Sequence, residues 1–146
     1  VADLRIGIGL PNANIGAPTG ELLLELVRRA EALGFAFVSV RDRPAYESYE
    51  PLTLLAAAAG ATTRIGLVTN ILLAATRSPV LLAKQAASLA ELSNGRLVLG
   101  LGVGEREDDF AVTGTSFAGR GARFDAALAT MHEVWQGLPP AGGSRS

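Results

Sequence analysis

The chain has 146 residues, thirteen basic and fourteen acidic, with a net charge of -1 and no cysteine. Disulfides, thiolate nucleophiles and sulfur-ligated metals are therefore excluded, and the balanced charge without a basic run argues against nucleic acid as a partner. Hydrophobic residues at 49% and charged ones at 18% are the composition of a globular chain with a buried core.

No apolar stretch reaches the roughly 20 residues of a membrane span, and no secretory leader opens the sequence, so no membrane partner and a cytoplasmic location are expected. The single histidine, His132, argues against a multi-histidine metal site or a Ser-His-Asp triad. Chemistry then falls to carboxylates, hydroxyls, arginine, backbone groups or a cofactor.

Leu4 to Leu10 alternates and stops at Pro11-Asn12, which predicts a first strand and a loop rich in Gly, Pro and Asn through Gly20. Thr19 caps a helix running to about Leu33, with Leu22, Leu23, Leu26, Val27 and Ala30 at helical spacing and Gly34 as its stop. Phe35 to Val40 reads as the second strand, followed by the charged loop Arg41-Asp42-Arg43-Pro44. Pro51 suits the first turn of a second helix, ended by Gly60. The third strand runs from Ile65 to about Leu72. Ser78 caps a third helix with Pro79 at its first position, reaching Leu92, and Asn94-Gly95 closes it. Arg96 to Leu101 forms the fourth strand. Glu105 to Phe110 reads as one acidic turn, and a last helix spans about Gly119 to Trp135 with Phe124, Leu128, Met131 and Trp135 on one face. Pro139-Pro140 and Gly142-Gly143-Ser144 have the composition of a linker or tail.

Strand starts near Leu4, Phe35, Ile65 and Leu97 lie about 30 residues apart, each strand followed by a helix. This is the period of parallel βαβ units, with right-handed crossovers covering the sheet. The fold expected is α/β: four βα units, the first half of a TIM barrel.

Gly100, Gly102 and Gly104 alternate at the end of the fourth strand. They do not form a dinucleotide fingerprint, because Glu105 stands where its third glycine would be. Close approach of a flat ligand and simple backbone packing both account for them. Arg41-Asp42-Arg43 lies just beyond the carboxyl end of a strand, where β/α proteins place their chemistry, and it equally suits an exposed loop ion pair. Thr69-Asn70 falls where asparagine is depleted in strands and marks a bulge or a polar function. Glu105, Glu107, Asp108 and Asp109 lack metal-ligand spacing and read as a solvated helix start; no metal site is expected. His132 reads as a surface or packing residue.

Several segments together carry a resemblance: Glu50-Pro51-Leu52, Thr63-Arg64-Ile65, Arg77-Ser78-Pro79, Leu82-Ala83-Lys84-Gln85-Ala86-Ala87, the run from Leu92-Ser93-Asn94-Gly95-Arg96-Leu97 to Gly104, and Gly119-Arg120-Gly121-Ala122-Arg123-Phe124-Asp125. The chain resembles the bacterial luciferase-like family of flavin- or deazaflavin-dependent oxidoreductases and monooxygenases. That resemblance implies an eight-stranded barrel about twice this length, with a flavin ring over the carboxyl ends of the strands. It implies FMN or the deazaflavin coenzyme F420 as the cofactor and a small organic molecule as the substrate. It also implies a bulge with a non-proline cis peptide in the third strand, for which Asn70-Ile71 is the matching place, and Asp42, Thr69, Asn70, Gly102 and Gly104 as residues lining the ring.

Relatives commonly have an acidic residue followed by histidine after the second strand. Here Asp42 keeps the first position and Arg43 replaces the histidine, which leaves the catalytic residue unassigned. Residues 1–137 are expected to be the amino-terminal half of such a barrel and 138–146 a flexible tail or the start of the linker between halves. The usual phosphate site follows strands seven and eight, so the isolated half is expected to be inactive and to bind FMN weakly or not at all, with Arg41, Arg43 and Arg106 the candidates for any phosphate contact. Strands one and four would be open edges. Completion by the missing carboxyl-terminal half, or by a second copy in a homodimer, answers that exposure; a non-catalytic half-barrel that dimerises is the alternative reading.

Overall fold

The computed structural model describes residues 4–12 and 18–137, so the expected tail or linker at 138–146 lies outside the described residues. Four parallel strands, β1 (Gly7–Gly9), β2 (Phe37–Val40), β3 (Gly66–Leu73) and β4 (Leu97–Gly102), form one sheet in the sequential order β1-β2-β3-β4. Helices α1 (Gly20–Ala32), α2 (Pro51–Ala61) and α3 (Pro79–Leu92) connect them, and α4 (Glu107–Val112) and α5 (Arg120–Trp135) follow β4. The strand order does not reverse, which separates this half of a TIM barrel from a doubly wound sheet.

One face of the sheet is packed and the other is open. Val38 and Val40 of β2 and Leu67 and Leu72 of β3 point toward the helices and meet Leu23 and Val27 of α1, Leu55 and Ala58 of α2, and Leu82 and Ala83 of α3 in a single core. The opposite face carries Gly7, Phe37, Gly66, Val68 and Val98. A Cβ on Gly7 would collide with the Phe37 ring, so glycine there leaves room for it, while one on Gly66 would press on Ala36 O and Phe37 Cβ, both at 3.1 Å. Val98 is 58% exposed. β4 is thus apolar on both faces, while only the helix side is covered.

Several boundaries shift for local reasons. β1 pairs over Gly7–Gly9 alone, not from Leu4 to Leu10, because its partner β2 is four residues long; single bonds from Ala36 N to Ile6 O and from Leu10 N to Ser39 O extend the contact. Gly60 does not end α2. The helix continues to Ala61, since Thr62 Oγ1 donates to Ala58 O and Arg96 binds the carbonyls of Ala59 and Thr62, satisfying groups that a helix end leaves unpaired. Thr19 caps α1 through Leu22 N, as its hydroxyl implies, whereas Ser78 stands at the start of α3 without a side-chain capping bond. Glu50 caps α2 by accepting from Thr53 N at 2.7 Å.

In β3 the register slips between Thr69 and Leu72, and the Asn70-Ile71 bond is cis, matching the expected bulge and its place. On the face of α5 named above, Met131 is buried and Trp135 stays half exposed while its Nε1 donates to Ala83 O of α3. Among the described residues no helix is long and apolar enough to cross a membrane.

Candidate active site at the carboxyl end of the sheet

The loops after β2, β3 and β4 converge on a cavity of about 560 Å³, within the size range of small-molecule sites. Asp42, Arg43 and Tyr46 come from the first loop, Asn70, Ile71 and Leu73 from the irregular end of β3, and Gly104, Glu105, Arg106 and Asp109 from the third.

Asp42 is the fixed point. Its side chain is 2% exposed and grips Arg77 in a two-pronged pair, Nη1 to Oδ2 at 2.5 Å and Nη2 to Oδ1 at 3.0 Å. Oδ2 also accepts the N–H of Leu73 at 2.8 Å, while Arg77 Nη1 and Thr76 Oγ1 donate to the Leu73 carbonyl. Both backbone polar groups of the residue that ends β3 are therefore held by the loop after β2 and the turn that follows. A carboxylate this deep is tolerable only because it is paired and hydrogen-bonded.

Arg43 faces the other way. Its Nε donates to Asp109 Oδ2 at 3.0 Å, its guanidinium lies 4.0 Å from the centre of the Tyr46 ring, and Asp109 Oδ1 accepts Ala45 N–H. Burial disfavours its charge, yet the Tyr46 contact and the Asp109 carboxylate outweigh that and hold its pKa above the ordinary arginine value. Such a group stays cationic and cannot serve as a proton shuttle. The charged cluster after β2 is thus no exposed loop pair, because Asp42 and Arg43 each reach a residue far along the chain. The acidic turn needs correction too. Asp109 is buried and ties α4 to the β2 loop, although Glu105, Glu107 and Asp108 remain exposed as a solvated helix start implies.

The site residues named from the sequence separate into two groups. Asp42, Asn70 and Gly104 line the cavity, whereas Thr69 and Gly102 stand outside its lining. Thr69 is buried and donates to Gly100 O at 2.8 Å. A Cβ on Gly100 would strike the Thr69 carbonyl, and one on Gly102 would strike the Ile71 side chain. These two glycines let β4 approach the bulge of β3. Gly104 borders the cavity at φ +86, and any Cβ there would press on Phe110 at 3.0 Å and Leu73 at 3.2 Å. Its carbonyl accepts from Arg120 Nε. His132 is on the surface against Trp135, and no metal-binding cluster occurs among the described residues.

Sequence reasoning did not single out Arg77, Asp109, Tyr46 or Asn12 for the site. Asn12 is fully buried and its amide makes two bonds to the Arg41 backbone, joining the loops after β1 and β2. Arg77 had a signal, being an arginine just before the Ser-Pro start of a helix; the others are partners over distances that periodicity does not reveal.

A sequential parallel sheet of four βα units, with its polar constellation at the carboxyl end, is half of a β/α barrel. The family described as luciferase-like monooxygenase matches residues 4–144, and the chain belongs to that family. The phthiodiolone/phenolphthiodiolone dimycocerosates ketoreductase of Mycobacterium bovis is 36% identical over 122 residues, covering 83% of this chain and 31% of that protein. The crystal structure of monooxygenase RslO1 from Streptomyces bottropensis superimposes with a TM-score of 0.78 at 31% identity, over 90% of this chain and 43% of that one. An F420-dependent secondary alcohol dehydrogenase in complex with an F420-acetone adduct gives a TM-score of 0.74 at 27% identity, over 91% and 43%. The FMN-bound oxygenating constituent of 3,6-diketocamphane monooxygenase from Pseudomonas putida shares the fold, with a TM-score of 0.83 at 20% identity. The chain spans less than half the length of each.

Proposed function

We propose that this chain is the cofactor-facing half of a flavin- or deazaflavin-dependent oxidoreductase or monooxygenase acting on a small organic substrate in the cytoplasm. The observation that carries the reading is the cavity at the carboxyl ends of β2 to β4, where a family member would be expected to meet its cofactor. The lining suits a flat, partly anionic ring system. Ile71, 41% exposed, and Leu73 offer an apolar floor, Asn70 and Gly104 offer polar groups at its margin, and Arg41 and Arg106 are exposed cations without an ion pair among the described residues. Either FMN or F420 would be held between the β3 bulge and the loop at Gly104.

When bound, such a cofactor supplies hydride transfer or oxygen activation. The chain's residues contribute position. Asp42 and Arg77 fix the floor through Leu73, Thr69 and the glycines Gly100 and Gly102 fix the approach of β4 behind it, and Arg43 contributes constant positive charge beside Tyr46. Arg43 cannot pass a proton at neutral pH, so any proton transfer falls to the substrate, to Tyr46 or to residues from the remainder of the barrel. The alternative, a half-barrel without catalysis, draws on that same arginine.

The test is an absorbance spectrum of the protein as purified, followed by titration with FMN and separately with F420. A perturbed cofactor spectrum with one of the two, saturating at a dissociation constant weaker than about 10 μM, is the expected result, because two lost charge-assisted phosphate contacts cost about 3 to 6 kcal/mol together. An unperturbed spectrum with both cofactors at millimolar concentration would contradict the reading.

A further inference from the structure

The loop between β2 and α2 brings Asp42, Arg43 and Tyr46 to the cavity, whereas no described residue of β1 or of the loop after it lines that space. The β1 side nevertheless holds the β2 loop at both ends, through one residue. The last regular bond of the β1–β2 ladder runs from Leu10 N to Ser39 O at 2.8 Å, and in a parallel pair the next would run from Arg41 N to Leu10 O. Leu10 O instead accepts the N–H of Asn12 at 2.9 Å. The Asn12 side chain stands in for it: Oδ1 accepts Arg41 N–H at 3.0 Å, and Nδ2 donates to Arg41 O at 2.8 Å.

At the far end of the loop, the Asn12 carbonyl accepts the N–H of Tyr49 at 3.0 Å. One fully buried residue thus grips positions 41 and 49, the two ends of the segment that carries the cavity side chains. Between those ends the chain folds back on itself, with Tyr46 N and Ser48 Oγ both donating to Arg43 O. A side-chain amide offers one acceptor and one donor side by side, as a peptide group does, and so can continue a ladder where the backbone has turned away. Deprived of water, the groups it satisfies are costly to leave unpaired.

We propose that Asn12 is a positioning residue of the cavity: by closing the neck of the 41–49 loop it sets where Asp42, Arg43 and Tyr46 stand, although it lies outside the lining. Its effect on ligand binding rests on the cofactor reading given above. Its effect on the loop does not.

N12A removes the side chain and keeps the carbonyl that Tyr49 uses. If the two grips act as one clamp, amide hydrogen exchange, taken relative to Leu82 in α3, quickens about tenfold at Tyr49 as well as at Arg41. The amide resonances of Asp42, Arg43 and Tyr46 move with it. R96M, which loosens the opposite end of the sheet, is expected to leave those relative rates and resonances as in wild type. With whichever of FMN and F420 perturbs its spectrum on binding wild type, N12A is expected to bind about tenfold more weakly and R96M equally well. Exchange that quickens at Arg41 alone, with Asp42, Arg43 and Tyr46 unmoved, would overturn the proposal, and so would unchanged cofactor binding by an N12A chain whose loop has moved. If wild type binds neither cofactor, the cofactor reading fails and the exchange and resonance results alone decide on Asn12. If circular dichroism shows that N12A does not fold, N12S, whose single short hydroxyl cannot bridge both groups of Arg41, takes its place with the same outcomes deciding.

Discussion

The two ends of the sheet use charge differently. At the amino-terminal end, one carboxylate and one arginine serve the backbone: Glu31 accepts from the N–H groups of Thr63, Arg64 and Ile65, and Arg96 binds four carbonyls. At the carboxyl end, the buried carboxylates Asp42 and Asp109 pair with Arg77 and Arg43 beside a cavity, and besides these ion pairs they bind the N–H groups of Leu73 and Ala45. The first arrangement ties a loop and a helix end to the sheet. The second holds charges in fixed positions where a ligand can meet them, as expected of the face on which barrel enzymes build their sites.

The largest effect is expected from R77M. It leaves the Asp42 carboxylate buried without its cation, at a cost of about 3 kcal/mol in urea unfolding, with D42N/R77M recovering part of the loss. R96M at the other end is expected to cost about 2 kcal/mol, from the same measurement, by freeing carbonyls that regain water only partly. The comparison sharpens if R77M alone also displaces the Asn70 and Ile71 amide resonances, and it breaks if R96M moves them as much.

How much of this was legible in the sequence follows from the range of each interaction. Thr19, Gly34, Pro51, Pro79 and the 30-residue period speak locally, and they define the elements and their sequential order. Asn70-Ile71 was placed through family resemblance. The Asp42–Arg77 and Arg43–Asp109 pairs span 35 and 66 residues, and no periodicity marks such partners. Asp109 looked solvated because its neighbours Glu107 and Asp108 are; only the packing of α4 against the β2 loop distinguishes it. Gly102 and Thr69 were assigned to the ring through the same resemblance; both stand outside the cavity lining, Thr69 bonded to Gly100 O and Gly102 against the Ile71 side chain.

A smaller effect concerns pH. Partial burial raises the Glu31 pKa, but bonds from Ile65, Arg64 and Thr63 and the charge of Arg64 outweigh this, so the net shift is downward. A carboxylate held lower in the folded than in the unfolded state contributes stability that is present above the unfolded value, about 4.3, and is lost as pH falls through the folded one. E31Q is expected to cost about 1 kcal/mol at neutral pH, reduced by its exposure, and to flatten the decline in stability below about pH 4.3, followed by urea unfolding across that range. An unchanged decline would assign it to other carboxylates.

The division between the two ends is tested most directly by mapping FMN onto the labelled chain with amide chemical shifts. Progressive shifts are expected at residues 41–46, 70–73 and 104–109, with Phe37, Gly66, Val68 and Val98 unmoved. Shifts centred on those four residues instead, with the carboxyl end silent, would contradict the account.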